Sequence, residues 1–153
     1  MANTYTQLHI HLVFAVKYRE AILRKSWKGQ LQKYITSIIQ NQGHKLLIIE
    51  NVEDHMHILI GLRPVQSLSA LMEKIKTDSS LWINNNKLTP RHFNWQNGYG
   101  AFALSKSHVE GCIKYIANQE EHHRKKSFRE EYLELLMEND VEFDERYIFK
   151  ELE

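Results

Sequence analysis

His55 and His57 are the leading candidates for functional residues, and they flank Met56 inside the apolar stretch 54–61. This stretch is short and rich in β-branched residues, and it is closed by glycine, so the sequence predicts a β-strand. Side chains two positions apart in a strand point to the same face, so the two histidines lie side by side. Two neutral imidazoles placed in this way can bind a metal ion. The alternative is a pair of half-exposed histidines that bind no ligand.

A second candidate group lies on a predicted helix that runs from Ser107 to about His123. Ser107 and Glu110 have the spacing of a capping box. The apolar stripe of this helix comprises Val109, Cys112, Ile113, Ile116 and Ala117. Tyr115 lies off that stripe and leans over Gly111, and Gln119 follows one turn later. The pattern predicts a tyrosine hydroxyl free of crowding beside an amide, or alternatively an ordinary interfacial tyrosine.

Composition indicates one ordinary globular domain. The chain has 153 residues, of which 42% are apolar and 25% are charged, and this is enough to bury a core. Cys112 is the single cysteine, which excludes an internal disulfide and a thiolate zinc cluster. No apolar run approaches the length of a membrane span, and the residues after Met1 do not form a secretory signal. We therefore expect a cytoplasmic protein.

The charge is unevenly distributed along the chain. The net charge is +1, but residues 129–153 carry ten acidic side chains against three basic ones. The remaining residues are therefore basic overall, which is compatible with a nucleic-acid partner. We predict a catalytic domain over 1–128 and an acidic C-terminal extension over 129–153, packed on the same domain as a helix with a solvated end.

The predicted elements follow the order β-α-β-β-α-β, which is the ferredoxin-like split β-α-β arrangement of the α+β class. The strands are expected at 8–16, 46–52, 55–62 and 101–104, and the helices at 26–42 and 68–84, with the Tyr115 helix added after them. Both earlier helices cover one sheet face. In this topology the first and third strands are neighbours, so His9 and His11 lie beside His55 and His57. The added helix then covers the histidine face.

These features together resemble the single-tyrosine HUH transposases of the smallest bacterial insertion sequences. His55-Met56-His57 matches the His-hydrophobic-His motif, and Tyr115 to Gln119, followed by His122 and His123, matches the Tyr-x-x-x-Gln helix. Similar supporting segments are found at 11–19, 76–80, 95–102 and 142–147. The resemblance covers nearly the whole chain. One departure is His9-Ile10-His11, where the family pattern includes only the later histidine, so His9 is interpreted as incidental.

The resemblance implies a specific activity. His55, His57 and Gln119 would hold a divalent metal ion, Mg²⁺ or Mn²⁺, and Tyr115 would attack single-stranded DNA to form a 5′-phosphotyrosine. The substrate would carry a hairpin near each element end. An element has two ends and each chain offers one such tyrosine, so a homodimer is expected. The family favours shared active sites, in which Tyr115 and Gln119 of one subunit complete the histidine pair of the other, whereas a helix docked on its own sheet is the alternative.

Contacts to DNA are expected from basic and aromatic side chains outside the centre. The candidates are Lys17, Arg19, Lys74, Lys76 and Arg91 for phosphates, and Tyr99 or Trp95 for stacking on a base. Solvated lysines and packed aromatics are the alternative interpretations. Two other functions stay open, namely a host-adopted relative that processes dispersed hairpin repeats and a single-strand binding module without chemistry. The intact set of His55, His57, Tyr115 and Gln119 argues against the binding module.

Overall fold

The structure is a computed structural model that describes residues 3–144, with only the backbone described at Arg19. Four antiparallel strands form one sheet in the order β2-β3-β1-β4. The strands are β1 His9–Ala15, β2 Lys45–Asn51, β3 His55–Gly61 and β4 Gly100–Leu104. The helices are α1 Lys25–Asn41, α2 Leu68–Asn85, α3 Lys106–Ala117, α4 Gln119–His123 and α5 Phe128–Glu138, with a 3₁₀ turn at Lys17–Arg19. This order confirms the ferredoxin-like prediction.

One face of the sheet forms the main apolar core beneath α1 and α2. Alternate residues of β1 and β3 point into this core, and α1 and α2 cover them with their own apolar stripes. The fully buried members include Leu12, Phe14, Met56, Ile58, Ile60, Leu31, Ile35, Ile39, Leu71 and Ile75. Burial of each such side chain contributes about 1.5–3 kcal/mol. This core determines which set of alternate residues in each strand faces α1 and α2.

Strand register places the histidines on the opposite face. In the β1–β3 pair, Ala15 lies opposite His55 and Val13 opposite His57. A slip of one residue would move both imidazoles into the apolar core and expose Ile58 to the other side. The same hydrophobic pattern that stabilises the sheet therefore also holds the histidine pair in position.

The histidine face is covered by two helices rather than one. Helix α3 contributes a single fully buried side chain, Ile116. Helix α5 contributes Phe128, Tyr132 and Leu136, which pack on Val13, Ala15 and Phe102 in a second apolar cluster. Part of the acidic C-terminal segment is thus a structural helix that closes the sheet.

Gly100 allows α5 to approach the sheet closely. A Cβ atom built at this position would lie 3.0 Å from the Tyr132 hydroxyl oxygen and 3.0 Å from the Phe102 ring. Both distances are shorter than ordinary carbon contacts, so a larger residue would push β4 away from α5. The glycine at the start of β4 therefore allows the close packing of α5 on the sheet.

The structure corrects two details of the Tyr115 helix. The predicted capping box at Ser107 and Glu110 is wrong, because the helix begins at Lys106 after Ser105, and the Ser105 hydroxyl contacts His108 Nδ1 at 2.6 Å. The helix is also interrupted at Asn118, where φ is −98° and ψ is 22°, so Gln119 begins a separate short helix.

The other predicted elements agree with the structure to within one residue at nearly every end. The similarity motif at 142–147 and the end of the acidic segment lie partly outside the described residues. Over residues 3–144, no helix has both the length and the hydrophobicity needed to cross a membrane.

Candidate metal and tyrosine centre

Strand β3 presents His55 and His57 into the space between the sheet and α5. Both side chains are fully buried, and both Nε2 atoms face the carboxylate of Glu131 on α5. The His57 Nε2 atom lies 3.0 Å from Glu131 Oε1, and the His55 Nε2 atom lies 3.5 Å from the same oxygen. The two imidazoles therefore converge on one point.

The remaining ring nitrogens of the pair are held by outer partners. His55 Nδ1 lies 2.7 Å from Asp54 Oδ1, and His57 Nδ1 lies 2.8 Å from His11 Nε2. A hydrogen bond at Nδ1 orients the ring and leaves Nε2 available, as is usual for histidines that bind metals. His11, which lies in β1 on the same sheet face, thus positions one of the two candidate ligands.

The tyrosine and the amide predicted from sequence meet the histidine pair within a single chain. The Tyr115 hydroxyl donates to Glu131 Oε2, and its ring centroid lies 5.8 Å from that of His57. Gln119 is fully buried, with Oε1 3.4 Å from His55 Nε2 and Nε2 donating to Glu131 Oε2 at 3.3 Å. The structure therefore brings together all four residues that the sequence placed in the centre.

Glu131 also contacts the two histidines of α4. His123 Nε2 lies 3.1 Å from Glu131 Oε1 and 3.0 Å from Gln119 Oε1. His122 Nε2 lies 3.2 Å from Glu131 Oε2, but its direction does not make a hydrogen bond. The carboxylate is 1% exposed and stands at the middle of the whole group.

Burial and neighbouring charge separate the protonation states of the histidines. Burial lowers the pKa of His57 to about 4. Burial, together with His57, lowers the pKa of His11 to about 3. For His55 burial acts in the same direction, but hydrogen bonds with Asp54 and Glu131 outweigh it and raise the pKa. Neutral imidazoles at His11 and His57 leave nitrogen lone pairs free for binding.

The pKa values of Glu131 and Tyr115 are shifted in opposite directions. Burial alone would raise the pKa of Glu131, but hydrogen bonds from His123, His55 and His57 lower it well below its usual range. Burial and the adjacent Glu131 charge raise the pKa of Tyr115 well above its usual range. The tyrosine is therefore a protonated hydrogen-bond donor in this arrangement.

The donor set fits a divalent metal ion. One ligand atom from each of His55, His57, His123 and Glu131 lies within 4.8 Å of the others. Imidazole nitrogen and carboxylate oxygen are ligands for divalent first-row metals, and the outer partners described above give the orientation that such ligands need. Gln119 adds an amide oxygen at the edge of the same group.

The Tyr115 side of the centre is open to solvent. A cavity of about 680 Å³ reaches this side and is lined by His11, Gly111, Tyr115, His122 and Glu131, among others. Among the described residues, no neighbouring side chain lies within 4 Å of a Cβ built at Gly111, whereas the Tyr115 hydroxyl itself contacts Glu131. A nucleic-acid strand in this cavity would meet the hydroxyl before the buried histidines.

The predicted DNA contacts lie away from the centre, around α2 and the segment 90–99. Lys17 and Arg91 line one cavity there, and Lys76 and Tyr99 line another. Lys74 pairs with Asp78 at 3.0 Å and Arg91 pairs with Glu20 at 3.2 Å. The Arg19 side chain lies outside the described part of the structure.

Lys76 stabilises the loop around Gln96 and Gly98, in addition to any contact with DNA. Its ammonium donates to the carbonyl of Gln96 at 2.8 Å and to that of Gly98, and it lies 6.0 Å from the centroid of the Tyr99 ring. Burial lowers its pKa to about 8. Trp95, the other candidate for stacking on a base, is 6% exposed and packs on Phe14, so it belongs to the core.

Sequence reasoning missed three members of the centre. His123 carried a signal, since it lies four residues after Gln119 and therefore shares its helix face. His11 was predicted to lie beside His55 and His57, but no functional role was predicted for it. Glu131 lies between Phe128 and Leu135 on the apolar stripe of its helix, where an acid is unusual.

Comparison with known proteins finds similarity to transposases. The family model described as "Transposase IS200 like" matches residues 4–119. The ISDra2 transposase TnpA of Deinococcus radiodurans is 25% identical over 118 residues, covering 74% of this chain and 84% of that protein. The transposase for insertion sequence element IS200 of Salmonella typhimurium is 28% identical over 127 residues, covering 75% and 80%.

Two solved structures share the fold. A protein from Deinococcus radiodurans described as a candidate transposase has a TM-score of 0.61 at 22% identity, over 78% of this chain and 95% of that one. The REP-associated tyrosine transposase bound to a REP hairpin has a TM-score of 0.62 at 14% identity, over 80% and 73%. Since the family model spans most of the chain and includes His55, His57, Tyr115 and Gln119, this chain belongs to the IS200-like transposase family.

Proposed function

We propose that this transposase cleaves and rejoins single-stranded DNA at hairpin-marked insertion-sequence ends through a 5′-phosphotyrosine intermediate. The observation that carries the proposal is the convergence of Tyr115, His55 and His57 on one carboxylate. A site in which a hydroxyl and two imidazoles face a single small anion suits a phosphate group. The open cavity beside Tyr115 admits an extended strand.

The proposed chemistry is an exchange of one phosphodiester for another. The Tyr115 oxygen forms a bond to phosphorus, the bond from phosphorus to the 3′ oxygen breaks, and the proton lost by tyrosine balances the one gained by the freed 3′-hydroxyl. Rejoining runs the same steps backward with a different 3′-hydroxyl. The number of phosphodiester-type bonds is unchanged, so no phosphate-donor loop is needed.

His55, His57 and Gln119 would hold Mg²⁺ or Mn²⁺ in this proposal. A bound divalent ion supplies positive charge to the scissile phosphate and lowers the barrier to attack. Such charge would favour the phenolate, which burial and Glu131 disfavour by raising the pKa of Tyr115. Asp54 and His11 orient the two imidazoles toward the phosphate.

Recognition of a hairpin is supported by a relative of the same fold. The REP-associated tyrosine transposase was solved bound to a REP hairpin. Here the proposed contacts are Lys17, Lys74, Lys76, Arg91 and Tyr99, together with Arg19. Phosphate contacts from basic side chains give affinity that falls as salt concentration rises.

The same relative favours one alternative. A host-adopted enzyme that processes dispersed hairpin repeats would use the same centre, and the fold is shared with the REP-associated transposase. The DNA that flanks the gene separates the two functions, because an insertion sequence has one hairpin near each end whereas dispersed repeats lie elsewhere in the genome.

The experiment that tests the proposal uses a labelled single-stranded oligonucleotide with a hairpin from the flanking DNA, incubated with Mn²⁺ or Mg²⁺. We expect strand cleavage and a covalent protein–DNA product on a denaturing gel. The same sequence as a full duplex, and the reaction with chelator, are expected to give neither product. Equal cleavage of the duplex, or cleavage that survives the chelator, would contradict the proposal.

The predicted homodimer with shared sites leads to a mixing experiment. In this structure Tyr115 reaches the histidines of its own chain, and exchange would require α3 to dock on a second sheet through the short link at Ser105. If the sites are shared, as the family favours, a mixture of Tyr115→Phe and His57→Ala chains is expected to regain one working site per mixed dimer, and it stays inactive if each chain keeps its own site. Recovered activity would show that the helices are exchanged between subunits.

A further inference from the structure

Glu131 uses both carboxylate oxygens inside the centre, and the two oxygens face different groups. Oε1 lies 3.0 Å from His57, 3.1 Å from His123 and 3.5 Å from His55, all measured to Nε2. Oε2 accepts from the Tyr115 hydroxyl and from Gln119. One oxygen therefore occupies the ligand side of the centre, and the other occupies the nucleophile side.

With Glu131 in place, the centre offers four histidine or carboxylate ligand atoms beside the Gln119 amide. His55, His57 and His123 each offer a nitrogen, and Glu131 offers an oxygen, all within 4.8 Å of one another. For a four-coordinate ion such as Zn²⁺, four protein ligands close the site, whereas a catalytic site keeps a position open for water or substrate. A phosphate that is to contact both the ion and the Tyr115 hydroxyl must take the place that Glu131 occupies between them.

We propose that Glu131 is a displaceable fourth metal ligand that holds the place of the scissile phosphate until DNA binds. A carboxylate and a phosphodiester both present two oxygens on one atom with negative charge. The carboxylate already contacts the ligand side with one oxygen and the Tyr115 hydroxyl with the other, as the phosphate must. This inference rests on the proposed function and adds a state of the centre that precedes DNA binding.

Glu131 lies on a helix that is anchored by side chains outside the ligand set. His55 and His57 are fixed in the central strand β3, whereas Glu131 is carried by α5, which follows the short link 124–127. Helix α5 is held by Phe128, Tyr132 and Leu136, none of which contributes to the ligand set. Exchange of the carboxylate for an amide of the same shape therefore leaves the packing of α5 intact.

The DNA-free centre is expected to favour transition metals over Mg²⁺. Three imidazoles and one carboxylate suit Mn²⁺, Co²⁺ or Zn²⁺, whereas Mg²⁺ prefers oxygen ligands and keeps several waters. When a phosphate replaces Glu131, an oxygen ligand is exchanged for another oxygen ligand. The preference for transition metals over Mg²⁺ therefore comes from the histidines, and we expect it both without DNA and with DNA bound.

The test compares Glu131→Gln with Glu138→Gln, a matched change at an exposed position on the same helix. Mn²⁺ binding to the DNA-free proteins is measured by calorimetry. We expect the dissociation constant of Glu131→Gln to rise about 10–100-fold, the range seen when groups that support a metal are lost. Glu138→Gln is expected to bind Mn²⁺ as the unmodified chain does, and thermal unfolding confirms that both variants fold.

The second measurement is the affinity for the hairpin oligonucleotide with Mn²⁺, in a Tyr115→Phe background that prevents cleavage. We expect Glu131→Gln to bind DNA several-fold more tightly, because the phosphate no longer competes with a carboxylate. A fall in metal affinity together with a gain in DNA affinity is the signature of a displaceable ligand. A permanent ligand would weaken both.

Three results would overturn the inference. Unchanged Mn²⁺ affinity in Glu131→Gln would show that Glu131 is not a ligand, and weaker DNA binding would show that it is not displaced. Complete loss of cleavage with unchanged Mn²⁺ binding would make Glu131 the proton acceptor of Tyr115 instead. His55→Ala serves as the reference, since unchanged Mn²⁺ binding there would contradict the proposed function itself.

Discussion

Tyr115→Phe is expected to abolish the covalent protein–DNA product and all strand cleavage while leaving DNA binding intact. The substitution removes one oxygen, the atom that the proposed mechanism bonds to phosphorus. Loss of the nucleophile in a serine protease costs on the order of 10⁶-fold in turnover, so no product is expected above background. The measurement is a denaturing gel with labelled oligonucleotide, alongside the binding affinity of the same variant.

The matched control for this prediction is Tyr34→Phe. Tyr34 lies on α1, on the opposite side of the sheet, where its ring stacks on Trp82 at a centroid distance of 5.3 Å. Tyr34→Phe also removes only a phenolic oxygen, but we expect cleavage to be unchanged. A covalent product that persists in Tyr115→Phe would transfer the nucleophile to another residue, and Tyr99 is the next candidate.

His57→Ala is the second variant for which we expect a large effect. It removes the buried Nε2 ligand atom, and with it the hydrogen bond between Nδ1 and His11 that orients the ring. We expect no detectable cleavage and a Mn²⁺ affinity reduced by at least about 10–100-fold. His55→Ala should behave in the same way, and Gln119→Ala should show a smaller loss because an amide oxygen is a weaker ligand than imidazole.

His9→Ala is the control for the histidine variants. His9 lies on the same face of β1 as His11, but it pairs with Gly61, at the end of the strand far from the centre. We expect its cleavage rate and Mn²⁺ affinity to match those of the unmodified chain. A loss equal to that of His57→Ala would mean that the ligand pair has been assigned to the wrong residues.

Local patterns in the sequence were enough to predict the sheet, whereas the roles of the residues in the centre were predictions from the family resemblance. The alternation in 55–62 fixed the face of His55 and His57, and the position of Tyr115 off its apolar stripe indicated a usable hydroxyl. The β-α-β-β-α-β order then predicted that β1 and β3 are neighbours. These inferences depend on periodicity and topology, which the chain encodes within short segments.

The rest of the centre depends on tertiary packing between distant segments. Glu131 lies 74 residues from His57 in sequence, and no local pattern connects the two. Its place on the stripe of Phe128 and Leu135 was the available clue, because an acid on a buried helix face needs partners. The break at Asn118 was equally hidden, since Asn is tolerated within helices and no proline or glycine marks the interruption.

The most direct test of the account is to locate the DNA on the protein after reaction. Cleavage by trypsin after Lys114 and Arg124 releases residues 115–124, which contain no tyrosine other than Tyr115. Mass spectrometry of the reacted, nuclease-trimmed protein is predicted to find a nucleotide joined through its 5′-phosphate to this peptide, and only when Mn²⁺ or Mg²⁺ was present. A nucleotide on a different peptide, a 3′-phosphate linkage, or the same product with chelator would contradict the account.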